Sequence, residues 1–224
     1  MSIVFPYALS LDSYASAGAD VEVPRPDCPD CSAPMRFWWG YWRYVRERGD
    51  CRKVFVRRAI CKRCRSTHSL LPSFLFSRRR DTAEAIGQAI ELVSAGHGGA
   101  RPAAVRVGVP HTTARGWLRR FRRRAQAIAI SFAAIAVEFG GEVIVPIGDQ
   151  MTAAVAAIGA AFSAASAMPG WAAIGRWRFA AAVSGGGLLA ANTVSPFYML
   201  GKRRFMPPVP SSQGETWNKA NGNG

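Results

Sequence analysis

The chain has 224 residues, with 29 Lys and Arg against 14 Asp and Glu, and its formal net charge is +15. A chain of this length holds one or two domains, which excludes a large multidomain enzyme. Hydrophobic residues make up 49% and charged residues 19%, so the chain can bury a core and does not have the composition of a disordered protein.

The positive charge is concentrated in one block. Residues 25–124 contain 23 Lys and Arg and seven acids, so they carry +16, whereas residues 1–24 carry −3 and residues 125–224 carry +2. A basic block of this kind favours a polyanionic partner, with nucleic acid first and an anionic membrane surface second.

Residues 1–24 contain no Lys or Arg ahead of their apolar positions. A secretory signal is therefore not expected, and a cytoplasmic, nucleoid-associated location follows for a nucleic-acid-binding protein. We predict a flexible or loosely docked leader over residues 1–24 that ends at Pro24 and Pro26, because proline removes a backbone donor and favours extended chain.

Four of the five cysteines form two Cys-x-x-Cys pairs, Cys28 with Cys31 and Cys61 with Cys64. A two-residue gap lets two thiolates bind one ion from a tight turn, and four sulfurs satisfy the tetrahedral preference of zinc. We predict a structural Zn²⁺ site in a zinc-ribbon domain of residues 25–76; a redox pair and plain buried thiols are the alternatives. Cys51 is out of register with both pairs. His68 is a candidate replacement ligand, with capping, packing or a phosphate contact as its other interpretations.

Two strands are predicted between the cysteine pairs. Residues 36–45 are rich in aromatic side chains, residues 53–60 alternate with β-branched residues, and residues 48–50 form the turn, so the pattern indicates a hairpin. The aromatic run, residues 37–44, has two interpretations. It is either a stacking surface for single-stranded nucleic acid or a cover that packs on the metal site and on the next domain.

A helix-turn-helix is predicted within a domain of residues 77–125. A first helix from about Thr82 to Ala95 starts at a capping box formed by Asp81 and Glu84. Residues 100–121 then have the spacing of two helices joined at Gly108, and the second helix has a buried stripe at i, i+3, i+4 and i+7, formed by Ala114, Trp117, Leu118 and Phe121.

The opposite face of that second helix carries residue types that contact bases and phosphates. We predict that this face binds double-stranded DNA, and that an arginine triplet before the first helix contacts phosphates without reading sequence. The predicted DNA-binding residues are His111, Thr112, Thr113, Arg115, Arg119, Arg120, Arg122 and Arg123, together with Arg78, Arg79 and Arg80. A solvated basic helix without a nucleic-acid partner is the alternative.

Beyond Arg124 the composition changes to Ala, Ile, Val, Phe and Gly. This change predicts an Ala-rich helical region over residues 126–204, with homodimerisation as a possible role, and a disordered tail over residues 205–224. Two charge-free stretches, residues 150–175 and 179–201, raise the question of a membrane span. Their Ala and Gly content and their prolines disfavour one.

The order of motifs resembles a known group of proteins. It runs from Cys-Pro-x-Cys through the aromatic hairpin and Arg-Arg-x-x-Cys-x-x-Cys (residues 57–64) to His68, Leu-Leu-Pro-Ser-Phe (70–74), Gly-Val-Pro (108–110) and Trp-Leu-Arg-Arg-Phe (117–121). This order resembles a bacterial family of uncharacterised proteins that look like the N-terminal zinc-ribbon and helix-turn-helix regions of insertion-sequence transposases. The resemblance covers residues 25–125. It implies DNA binding, a mobile-element context, zinc on the four paired cysteines, and recognition by the helix that begins near His111.

Catalysis is not expected. A DDE-type transposase holds two metal ions with three carboxylates spread over a long domain, whereas this chain offers only Glu138, Glu142, Asp149 and Glu215 after the second helix. We therefore expect a mainly α protein with a small β zinc ribbon, a helix-turn-helix and an Ala-rich C-terminal region. It would act as a transposase-related accessory factor or a transcriptional regulator, without a small-molecule substrate. The alternatives are a transposase with an unrecognised active site and a membrane-associated protein with a cytoplasmic basic domain.

Overall fold

The strands and helices are taken from a computed structural model that describes residues 2–142 and 148–190. The strands are β1 (Ser2–Phe5), β2 (Met35–Glu47), β3 (Asp50–Cys61) and β4 (Thr67–Pro72). The helices are α1 (Leu11–Ala17), α2 (Ala83–Ser94), α3 (Ala100–Val107), α4 (His111–Glu138), α5 (Gln150–Ala165) and α6 (Arg176–Val183), with short 3₁₀ turns at Gly18–Asp20 and Ala172–Ile174.

The strands form one sheet in the order β1-β4-β3-β2. Strands β2, β3 and β4 are antiparallel neighbours, and β1 pairs parallel to β4. The predicted hairpin is confirmed: β2 and β3 pair from Met35 opposite Cys61 to Glu47 opposite Asp50. Its two turn residues, Arg48 and Gly49, both have positive φ, as two-residue hairpin turns that match the strand twist require.

The expectation of a mainly α protein with a small zinc ribbon and a helix-turn-helix is wrong. The described residues combine six helices with a four-stranded mixed sheet, about 46% helix and 22% strand, and the strand-rich N-terminal part is not a separate ribbon. The physical reason lies in β1 and β4, which widen the hairpin into a sheet. Their short apolar runs, residues 3–5 and 70–71, are typical of strands that are buried as parallel neighbours.

Residues 2–24, predicted as a flexible or loosely docked leader, contribute a strand to the sheet and side chains to the core. Strand β1 contributes Val4 to the core, and α1 contributes Tyr14; both side chains are fully buried. The Tyr14 hydroxyl donates to the carbonyl oxygen of Phe55 at 2.9 Å, which satisfies the polar end of an otherwise apolar side chain. Ser10 caps α1 by accepting from the Ser13 amide.

Helix α4 crosses the domain boundary that the change in composition predicts near residue 125. Its buried stripe continues beyond Arg124 through Ala125, Ile128, Phe132 and Ile135. Ala has the highest helix propensity, so an Ala-rich segment extends a helix rather than ending it. The helix therefore runs for 28 residues. The predicted tail of residues 205–224 lies outside the described residues.

The C-terminal helices pack on the N-terminal sheet. On α6, Arg178 donates to the carbonyl oxygens of Tyr7 and Leu9 at 2.8 and 2.7 Å and forms an ion pair with Glu84 of α2. Trp177, its neighbour, donates to Glu91 at 2.7 Å. One contiguous core consequently includes residues from β1 through α6.

The first charge-free stretch, residues 150–175, contains α5, which is 16 residues long, whereas a bilayer span needs about 20 apolar residues. In the ranges 2–142 and 148–190, no helix combines the length and the hydropathy that crossing a membrane requires. The second stretch, residues 179–201, is described only as far as residue 190.

We expect Gly108→Ala to destabilise the protein through the turn between α3 and α4. Gly108 has φ +68°, and a Cβ there would lie 3.1 Å from backbone atoms of Arg48 and Gly49 in the hairpin turn. The left-handed conformation alone costs about 1–2 kcal/mol for a residue with a Cβ, and the crowding adds to it. Thermal unfolding measures the loss. Gly96→Ala is the matched control, because Gly96 has φ +77° and a Cβ there would meet nothing within 4 Å. An equal loss of stability in both variants would contradict a contribution from the contact between Gly108 and the hairpin turn.

Candidate functional site

The two cysteine pairs lie on loops with the same backbone geometry, which we call the knuckles: residues 28–33 and 61–66. In the first, the Ser32 amide donates to the Cys28 carbonyl at 2.7 Å and the Cys28 amide donates to the Ala33 carbonyl at 2.8 Å. In the second, Arg65 and Ser66 occupy the equivalent positions around Cys61, at 3.0 and 2.9 Å. Ser32 and Arg65 both have positive φ. Each chain segment thus turns tightly enough for both of its sulfurs to point the same way.

The hairpin brings the two knuckles together. Cys61 ends β3 directly opposite Met35, the first residue of β2, and the first knuckle immediately precedes β2. The Cys28 and Cys64 Sγ atoms are 3.5 Å apart, as are those of Cys31 and Cys61, and all four lie within 4.8 Å of one another. A tetrahedron with metal–sulfur bonds of about 2.3 Å has edges of about 3.8 Å. The four cysteines therefore cluster at metal-binding distance.

The thiols differ in how readily they lose a proton. Burial raises the pKa of Cys28 to about 12, whereas hydrogen bonds from the side chain and backbone of Ser66 lower the pKa of Cys64 to about 6. A metal ion binds thiolates and displaces their protons, so the affinity of the four cysteines for a metal would increase with pH.

His68 lies beside the four-sulfur cluster and is not one of its members. Its side chain is fully buried on β4. Its Nε2 atom is 3.7 Å from Asp30 Oδ2, and these two residues form a neighbouring group with Cys28. Cys51, the remaining cysteine, is exposed near the start of β3, at the opposite end of the hairpin from the knuckles. It therefore serves as an internal reference for tests of the cluster.

The first half of α4 presents arginines to solvent. The predicted stripe is confirmed as buried: Ala114, Trp117, Leu118 and Phe121 all face the core. On the other side Thr112, Arg115 and Arg119 are exposed and, with Gly116, line a surface depression. Arg122 and Arg123 are exposed one turn further on, and His111 and Thr113 are half-buried in the first turn.

Two of the predicted DNA-binding arginines, Arg120 and Arg79, donate to backbone carbonyls of the protein, and the exposed Arg122 has an acidic neighbour. Arg120 bends back along its own helix and donates to the Gly116 carbonyl at 3.0 Å, a contact that the missing Gly116 side chain leaves room for. Arg79 donates to the Leu189 carbonyl at 2.8 Å, and burial lowers its pKa. Arg122 lies beside Asp149. Arg78 and Arg80 are exposed on either side of Arg79.

The four carboxylates that follow the second predicted helix in sequence do not share one environment. Asp149 is the N-cap of α5 and accepts from the Thr152 amide at 2.7 Å; this bond lowers its pKa. Glu138 ends α4, Glu142 is exposed, and Glu215 lies outside the described residues.

Two ion pairs of the structure, formed by Asp81 and by Glu84, were not predicted from the sequence. Asp81, expected to cap α2, is buried and pairs with Arg46 of β2 at 2.8 Å, while Thr82 caps the helix. Glu84, expected in the same capping box, pairs with Arg178. Both acids lie at the start of α2, where the sequence pattern predicts a capping role. Their actual partners, Arg46 and Arg178, are distant in sequence and could not be predicted from it.

Comparison with known proteins adds one family. Residues 28–106 match a family described as a Domain of unknown function (DUF6431). The match begins at Cys28 and includes both knuckles, the hairpin, β4, α2 and most of α3. It ends before α4. No curated protein and no solved structure matches this chain.

Proposed function

We propose that this protein binds duplex DNA through the first half of α4 and holds a structural zinc ion on Cys28, Cys31, Cys61 and Cys64. Four thiolates fill a tetrahedral zinc and leave no position open for substrate, so the metal has a folding role. The proposed activity is binding without catalysis. A protein of this kind acts in the cytoplasm, at the nucleoid, as a transcriptional regulator or as an accessory factor of a mobile element.

The observation that carries the proposal is the run of arginines on α3 and α4. Residues 101–137 contain eight arginines and no Asp or Glu. Arg115 and Arg119 are one helical turn apart on the exposed face and flank the depression that Thr112 also lines. Arginine binds guanine in the major groove by two hydrogen bonds and binds phosphate equally well. An exposed helix that carries arginines at this spacing suits the major groove in width and in charge.

The start of α4 supports the same orientation. Pro110 precedes the helix and has no side-chain acceptor to cap it. The helix N-terminus carries a partial positive charge, which favours a phosphate at this position. The half-buried His111 and exposed Thr112 lie in this first turn.

The metal site supports the interface indirectly in this proposal. The knuckles close one end of the β2–β3 hairpin, and the turn at the other end contacts Gly108, just before α4. The Arg46–Asp81 ion pair ties the same end of the hairpin to the segment before α2. A metal ion that fixes the hairpin consequently helps to fix the start of α4.

Replacing Arg115 or Arg119 by Ala tests the proposal. Duplexes selected from a random pool by the wild-type, metal-loaded protein provide the ligand, and fluorescence anisotropy measures the affinity. We expect each variant to weaken binding of the selected duplex by about 1–3 kcal/mol and to relax its sequence preference, as the loss of a bidentate base contact does.

Arg120→Ala is the matched control on the same helix, because the Arg120 guanidinium bonds to the Gly116 carbonyl. We expect a smaller loss of affinity from it than from either test variant. If Arg115→Ala and Arg119→Ala bind the selected duplex as tightly as the wild type does, the proposed interface is wrong.

A further inference from the structure

Strand β2 presents four exposed aromatic side chains, which we call the aromatic edge: Trp38 (55% exposed), Trp39 (68%), Trp42 (47%) and Tyr44 (54%). Large rings of this kind normally supply buried area to a core or an interface. If these rings covered the metal site or packed on a neighbouring domain, as the second interpretation of the sequence suggests, they would be buried. Within the described residues, they are about half exposed or more.

The position of β2 makes these rings accessible to an extended ligand. It is the last strand in the sheet order. Among the described residues, its outer backbone pairs near its two ends, where the Met35 amide donates to the Pro26 carbonyl and Arg46 pairs with residues 80–82. The register shifts between Phe37 and Trp39, which is a bulge that redirects the side chains at Trp38 and Trp39. Four exposed rings thus lie along an edge strand of the sheet.

Cations accompany the aromatic rings of β2. Lys53 Nζ lies 5.0 Å from the Trp42 ring centre, and the Arg58 guanidinium lies 5.9 Å from that of Trp38. Arg25 and Arg57 lie 5.6 and 5.3 Å from the ring of Phe37. Cations and exposed rings together offer contacts for both the phosphates and the bases of a single strand.

We propose that the aromatic edge binds single-stranded nucleic acid. Residues 37–44 span about 23 Å of strand, enough for several unpaired bases to stack on successive rings, with phosphates beside Lys53 and Arg58. A single strand fits better than a neutral peptide because this edge lies in the +16 block. This binding uses a different element from the duplex contacts proposed for α4 and does not depend on them.

The test uses the full-length, metal-loaded protein and a fluorescein-labelled 16-nucleotide oligothymidylate, which cannot form a duplex with itself. We expect Trp39→Ala and Tyr44→Ala each to weaken binding about 5- to 100-fold, the usual range for loss of one stacking ring. Trp39→Phe keeps a ring and should restore most of the affinity. Met168→Ala is the control, since Met168 is 49% exposed and lies in the C-terminal helical region; it should change nothing.

The same variants are titrated with the selected duplex. Loss of oligothymidylate binding in Trp39→Ala with unchanged duplex binding supports the inference, even if Arg115→Ala has no effect and the duplex proposal fails. Oligothymidylate binding that is unchanged in both Trp39→Ala and Tyr44→Ala overturns it. Equal loss of both ligands in the two variants also overturns it, because the edge would then not be a separate surface. Thermal unfolding of each variant identifies any that fails to fold, and the remaining variant then decides.

Discussion

Cys61→Ser is expected to abolish stoichiometric metal binding and to lower the free energy of unfolding by several kcal/mol. Cys61 is fully buried at the end of β3 and its Sγ is 3.5 Å from that of Cys31. Structural zinc supplies roughly 10–16 kcal/mol of apparent binding free energy in small zinc domains, and most of that depends on all four thiolates. Elemental analysis of the purified protein gives the metal content, and thermal unfolding followed by circular dichroism gives the stability.

Cys51→Ser is the matched control, because Cys51 is exposed on the same strand and far from the knuckles. It should keep one zinc per chain and the wild-type midpoint. A strong chelator added to the wild type should reproduce the Cys61→Ser unfolding curve. One zinc per chain retained in Cys61→Ser, or no bound metal in wild type prepared with zinc present, would show that the four sulfurs are not a metal site.

Phe179→Ala should destabilise the protein by about 3–5 kcal/mol, the usual cost of removing a fully buried phenyl ring. Phe179 is fully buried on α6, and its ring contacts four others, those of Phe132, Phe139, Phe162 and Trp171, at centroid distances of 5.2–6.5 Å. Denaturant unfolding of the variant measures the change.

Met168→Ala controls for the loss of apolar side chain alone. Met168 is half-exposed in the same helical region, so its replacement should change stability by less than about 0.5 kcal/mol. A loss below about 1 kcal/mol for Phe179→Ala would mean that the C-terminal helices are not packed as a core.

Local signals predicted the parts of the fold that depend on neighbours in sequence. The cysteine spacing indicates the knuckles, and the alternation of β3 with the turn at Gly49 indicates the hairpin. The helical period of Ala114, Trp117 and Phe121 indicates the buried side of α4. Each knuckle and the buried stripe of α4 are complete within about ten residues, and the hairpin joins two strands that are neighbours in sequence, so local patterns suffice to predict them.

The sheet could not be predicted in the same way. Strand β1 pairs with β4, and the two are more than sixty residues apart. A short apolar run such as residues 3–5 is ambiguous by itself, because length and periodicity do not distinguish a buried strand from part of another element. The continuation of α4 past residue 125 was also not predicted. The change in composition there was interpreted as a domain boundary, whereas the helix continues and packs its second half on other elements of the core.

The sequence indicated which arginines lie at surface positions, but it did not indicate which of their side chains turn back to bond to the protein. Arg115 and Arg119 lie at the exposed positions that helical spacing indicates, whereas Arg120 and Arg79 bond to backbone carbonyls. Gly116 and the chain near Leu189 accept these bonds, and only the folded structure brings Leu189 to the segment before α2. A run of arginines therefore overstates the number that are available to a partner.

Mapping the contact residue by residue would show whether the first half of α4 binds duplex DNA. Backbone amide shifts of the isotope-labelled, zinc-loaded protein, recorded during titration with the selected duplex, provide that map. We expect the largest shifts within residues 111–123, and we expect them to diminish as salt is raised because phosphate contacts release counterions. Shifts confined to other elements, or no shifts at low salt, would contradict this expectation.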